Sequence, residues 1–147
     1  MKRITMLFLS LFIVAGLMAQ ADNVLGVWYN QEKTGKIEIY KLNGKYFGKI
    51  VWLKNPYGED GEPICDIKNP DPKLRTRLKM GLQIMNHFDY NANQKKWENG
   101  TIYDTANGNT YKCYMWFEGN QTNTLNVRGY IGISLIGRSQ IWTRTTK

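Results

Sequence analysis

Two kinds of apolar pattern divide the chain. From Ile4 to Leu17 the residues are apolar apart from Thr5, Ser10 and Gly16, preceded by Lys2-Arg3 and followed by Ala19-Gln20-Ala21. A basic start, an apolar stretch and an A-x-A site predict a cleavable signal peptide over residues 1–21, with Asp22 opening the processed chain. The run is short of the roughly 20 residues that a spanning helix needs. After residue 21 the pattern becomes alternation with period 2, the signature of half-buried strands. It is clearest over residues 35–40 and 45–53, joined by Asn43-Gly44, a pair that tolerates positive φ and so makes a tight turn. Further strands are expected over 25–29, 82–90, 95–104, 110–117, 125–133 and 137–143, with Asn99-Gly100 as a bulge. About eight short, evenly spaced strands predict an all-β domain over residues 22–147, an antiparallel up-and-down barrel whose closure removes free edges.

One segment breaks the rhythm. Residues 54–80 hold all four prolines, Pro56, Pro63, Pro70 and Pro72. A loop of this length in a compact domain is usually a lid, a binding loop or an inserted element. Asp71 as N-cap and Pro72 in the first turn predict a short helix running on through Lys73 to Leu78.

Composition narrows the function classes. The formal net charge is +8, and +6 once Lys2 and Arg3 are removed. The basic residues are scattered and export separates the chain from nucleic acid, so no nucleic-acid partner is expected. No transmembrane segment is expected after cleavage, and the location is periplasmic or secreted. Cys65 and Cys113 either pair in an oxidising compartment or remain separate thiols, Cys113 as a small buried hydrophobe. A bridge closing 47 intervening residues would contribute about 4 kcal/mol in the loop-entropy picture. Two cysteines and one histidine are too few for a usual zinc site. Glu59, Asp60, Glu62, Asp66 and Asp71 crowd the long loop without EF-hand spacing, so a solvated acidic segment is expected and no metal.

The two ends of the domain carry matching signals. Gly26-Val27-Trp28 opens the first strand and Trp142-Thr143-Arg144 closes the last. In a closed barrel these strands are neighbours, so Trp28 can plug the floor with Arg144 stacked across its face. A G-x-W start and a late arginine resemble the calycins, the lipocalin-like barrels. The series Gly35-Lys36-Ile37-Glu38-Ile39-Tyr40, Tyr46-Phe47-Gly48-Lys49-Ile50, Asn69-Pro70-Asp71-Pro72, Gly100-Thr101-Ile102-Tyr103-Asp104, Gly108-Asn109-Thr110-Tyr111, Leu125-Asn126-Val127-Arg128-Gly129-Tyr130 and Trp142-Thr143-Arg144 resembles the bacterial family named domain of unknown function 2147. The resemblance covers essentially all of residues 22–147. It implies a secreted or periplasmic barrel of calycin type and no particular activity. Thr105 departs from it, standing where a proline is expected after the aspartate.

Catalysis is not expected. His87 is the single histidine and shares a strand face with Gln83 and Met85. The sequence offers no Ser–His–Asp pattern and no phosphate-cradling loop, and no cofactor is implied. Binding is better supported by the five tryptophans and nine tyrosines. An eight-stranded barrel either holds one small ligand or is filled by its own side chains. Both faces of residues 45–53 carry bulk, so alternation leaves open which side is interior. The expected ligand is small and amphipathic, held under the 54–80 lid. Arg75, Arg77 and Arg128 are the candidate anchors for an anionic head, with Trp52 in the wall. The alternative is a filled barrel acting in the envelope as an interaction or structural protein. Oligomeric state is left open.

Overall fold

The computed structural model describes residue 16, residues 19–133 and residues 135–146. Most of the expected signal peptide, residues 1–15 with 17 and 18, lies outside the described residues. Among the described residues eight strands form a closed antiparallel barrel: β1 (Gly26–Tyr29), β2 (Gly35–Leu42), β3 (Lys45–Leu53), β4 (Gln83–Asn91), β5 (Lys96–Asp104), β6 (Asn109–Trp116), β7 (Thr124–Tyr130) and β8 (Gly137–Thr145). Each pairs with its neighbours in sequence, and β8 returns to β1. No helix among the described residues is long and apolar enough to cross a membrane.

The turn chemistry behaves as its residue types require. Asn43 and Gly44 take φ values of 51° and 77°, the left-handed pair of a two-residue hairpin. Asn99 has φ 62° where the β5–β6 register shifts, so Asn99-Gly100 is a bulge. A Cβ on Gly100 would lie 2.4 Å from the Phe88 ring, so glycine is what lets that ring cross the barrel. Alternation fails on β4. Its pairing with β3 shifts on both sides of Gly48, and Ile84 and Met85 are both buried. His87, at φ 60°, is left exposed.

One end of the barrel is closed by large side chains. Trp28, Trp97, Phe88, Met115 and Leu125 are buried there, and the Phe117 ring packs against both Trp28 and Trp97. Trp28 stands in register with Arg144, whose guanidinium lies 4.1 Å from the ring centroid. Arg144 also donates to the carbonyls of Leu25, Thr122 and Asn23. Gly26, at φ 125°, leaves room for it: a Cβ there would lie 3.0 Å from Arg144 Nη1. The incoming segment finishes the floor. Trp28 Nε1 donates to the Val24 carbonyl and Trp97 Nε1 to the Ala21 carbonyl, each at 2.9 Å. A chain cut after Ala21 would lose the second of these acceptors.

The 54–80 loop folds on itself. Asp71 caps a single 3-10 turn, Pro72–Leu74, through the Lys73 N–H at 3.0 Å. The expected helix to Leu78 does not form, because the chain turns back to pair with residues 64–66. Asp66 N–H donates to the Arg77 carbonyl, Lys79 N–H to that of Ile64, and Leu78 bridges to Cys65.

The cysteines are free thiols, which corrects the disulfide alternative for Cys65 and Cys113. Cys113 points into the barrel from β6 and belongs to the core, while Cys65 lies in the loop beside Leu78. Burial pushes the Cys113 thiol far above its ordinary value, so it stays neutral.

Candidate functional site

Above the aromatic floor the inward residues become smaller and the barrel is hollow. A cavity of about 690 Å³ opens at the end carrying the β1–β2, β5–β6 and β7–β8 connections. Its wall is Ile37, Ile50, Ile84, Ile102 and Val127, and Trp142 reaches it from β8. Polar groups are confined to the rim. Trp142 Nε1 donates to Gln140 Oε1 at 3.0 Å, Tyr111 OH accepts from Asn107 Nδ2 at 3.0 Å, and Arg138 faces Glu32 at 3.5 Å. That ion pair is exposed on both sides and so is weak; the guanidinium can exchange Glu32 for another anion at little cost. An apolar sleeve with Arg138, the carboxylates of Glu32 and Asp104 and neutral hydrogen-bonding groups at its mouth suits a molecule with an apolar tail and a polar head.

A second hollow, about 470 Å³, lies at the closed end among the turn residues Gln94, Lys95, Lys96, Gly119 and Asn120. The buried Tyr90 hydroxyl at its side has no hydrogen-bond partner. The strand residues Tyr90, Lys96, Trp97 and Trp116 also line it, and it is the smaller of the two hollows.

The long loop lies beside the mouth. Tyr103 follows Ile102 on β5, stands with it in the cavity lining and is buried. What covers it is the loop: Tyr103 OH donates to Asp66 Oδ1 at 2.7 Å, and the Arg77 guanidinium sits 5.6 Å from its ring centroid. Asp66 has no exposed surface and also accepts from Asn69 Nδ2 (2.8 Å) and from Arg77 Nε (3.0 Å) and Nη2 (2.9 Å). Burial alone would raise its pKa, but the bonds from Asn69, Tyr103 and Arg77 outweigh it and hold the carboxyl below the ordinary aspartate value. Gly108, at φ 79°, meets the loop so closely that a Cβ would lie 2.0 Å from the Lys68 carbonyl oxygen.

Comparison with known proteins adds one decisive match. The family described as an uncharacterized protein conserved in bacteria, domain of unknown function 2147, matches over residues 26–144. The chain belongs to this family. Among solved structures, a protein of the human pathogen Helicobacter pylori described as belonging to the lipocalin family is similar in fold, with a TM-score of 0.69 and 22% identity over 84% of each chain. No curated protein matches the chain.

In this family member none of the four expected ligand-binding residues is among those lining the cavity. Arg75 donates to the Asn69 carbonyl at 2.8 Å and Arg77 is spent on Asp66. Arg128 is on the outer side of β7, since Leu125, Val127 and Gly129 take the inner one, and it donates to Ser139 Oγ at 2.9 Å. Trp52 is also outside, edge-on to Tyr29 with Lys36 over its ring. Thr105, the departure from the family pattern, is on the rim. The acidic loop residues form no group able to hold a metal ion among the described residues. Sequence reasoning missed Arg138 and Gln140, although a signal was present: both share period-2 phase with Arg144, which the sequence already places across the face of Trp28.

Proposed function

We propose that this protein is an exported binding protein that takes a small, partly apolar ligand into the mouth of its barrel. The observation that carries this reading is the cavity of about 690 Å³ with an aliphatic wall and a polar rim, a size within the usual range of ligand pockets. The ligand's tail lies along Ile50, Ile84 and Val127, and its head meets Arg138, Gln140 and Tyr111. The role is binding without catalysis. A barrel filled throughout, serving as an envelope interaction protein, is the weaker reading because only the lower half is filled.

Gly129 makes the test clean. A Cβ built there meets nothing closer than 3.5 Å, and the position lines the cavity. Gly129→Leu therefore fills the hollow without forcing the wall. Titration of the wild type with a fluorescent fatty-acid-type amphiphile, followed through the amphiphile's own emission, is expected to saturate, and Gly129→Leu is expected to bind at least ~10-fold more weakly at unchanged fold. Equal binding by the two proteins, or no binding by the wild type to any amphiphile of a chain-length series, would remove the cavity as the site.

A further inference from the structure

The connection between β7 and β8 breaks the usual composition of an exposed turn. Ile131, Ile133, Leu135 and Ile136 are all at least 60% exposed, Leu135 at 86%. Ile131 and Ile136 also line the cavity mouth. The apolar surface therefore runs unbroken from the tip of this connection into the barrel. Four aliphatic side chains held in water within six residues are unfavourable unless something covers them.

We propose that this tip docks on the surface of an anionic lipid bilayer, so that the ligand enters the barrel directly from the membrane. The inference rests on the binding function proposed above and adds where the ligand comes from.

Three features select a bilayer as the occupant. The first is charge. Strands β6, β7 and β8 contain no acidic residue, and Lys112 and Arg128 flank the base of the tip: Lys112 pairs across to Tyr130, and Arg128 to Ser139, while Arg138 beside them faces Glu32. Basic residues at the edge of an apolar insertion are attracted by anionic headgroups. A second copy of the same tip would bring the same charges together and be repelled. The second is backbone pairing at the base of the tip. Ile131 N–H donates to the Ile136 carbonyl and Ile136 N–H to that of Ile133, each at 3.0 Å. Peptide groups already paired can leave water without the cost that bars open backbone from lipid. The third is shape. The apolar residues stand on the six-residue connection between β7 and β8, a patch too small for a flat protein interface but large enough to enter headgroups.

The test is flotation of the full-length processed protein with vesicles of phosphatidylcholine, with and without phosphatidylglycerol. The wild type is expected to float with the anionic vesicles and far less with the neutral ones. The double variant Ile133→Ser, Leu135→Ser alters only exposed side chains, so it keeps its melting temperature, and it is expected to lose ~10-fold or more in partitioning. Lys112→Glu with Arg128→Glu is expected to lose roughly fivefold per charge removed. Wild type that stays with the soluble fraction, or a serine variant that floats equally well, would overturn the proposal. So would a wild-type dimer that the serine variant dissociates, since the tip would then be a self-interface. Gly129→Leu separates the two readings: it should float like the wild type and fail to bind the amphiphile. Loss of flotation with retained amphiphile binding removes the docking and leaves the cavity; the reverse pattern removes the cavity and leaves the docking.

Discussion

At the closed end of the barrel the inward positions are Trp28, Trp97, Phe88, Met115 and Leu125, with Phe117 laid across them. At the mouth the inward positions are Ile37 and Ile50 on β2 and β3, and Ile102, Val127 and Gly129 on β5 and β7, two strands that also build the floor. Backbone geometry is shared, so the difference between a sealed floor and an open cavity comes from side-chain volume alone. Eight strands enclose a space that large residues just fill and small ones do not. Stability and binding are thereby assigned to opposite ends of each strand, and substitutions should sort accordingly.

The strongest probe of that division is Trp28→Ala. It removes a fully buried indole and the platform under Arg144, and is expected to cost about 3–5 kcal/mol, read as a large drop in melting temperature. A small drop would mean that the floor is not where stability resides. Arg144→Ala follows at about 3 kcal/mol, because it leaves the carbonyls of Leu25, Thr122 and Asn23 without their donor as well as ending the stacking. Leu125→Ala against Ile84→Ala compares the two ends directly. The first opens a void in a filled region and should cost about 3 kcal/mol, while the second widens an existing cavity and should cost about 1–2 kcal/mol. Equal values by chemical denaturation would erase the contrast.

The smallest expected effect is on the loop. Asp66 is held below its ordinary pKa, so its contribution to the folded loop is complete above about pH 4 and lost as pH falls through the lower folded value. Pepsin should therefore begin to cut within residues 54–80 at a pH where the barrel is still intact. Arg77→Ala should move the onset of cutting to higher pH and cost about 2 kcal/mol, below the full cost for a buried pair because Arg77 is partly exposed and Asp66 keeps Asn69 and Tyr103.

Most of the fold was legible in the sequence, and the reasons are local. Asn43-Gly44 and Asn99-Gly100 announce positive φ, and the alternation between such breaks places most strands to within a residue or two, though the run expected over 125–133 ends at Tyr130. Trp28 and Arg144 were legible through the one long-range rule that closure supplies, the adjacency of first and last strands. The site was less legible. Arg77 advertises a charge, but its partner Asp66 and the Tyr103 they cover together meet only in three dimensions. Arg128 looked available because the inner face of β7 was undecided, and Val127 settles it only once the core is known. On β4 the shift at Gly48 puts Ile84 and Met85 both inside, which no fixed period predicts.

The pairing of β1 with β8 also has a kinetic consequence. Trp28 meets Arg144 across nearly the whole chain, so the last contact to become available in synthesis is the one that seals the barrel. Until residues 143–145 have emerged, β1 keeps an unpaired edge, and the floor lacks its arginine. Contacts so distant in sequence slow folding and lengthen the time that bare edges are exposed. Export in an unfolded state, as we propose for this protein, would gain from this delay, because the barrel cannot close before residues 143–145 are present.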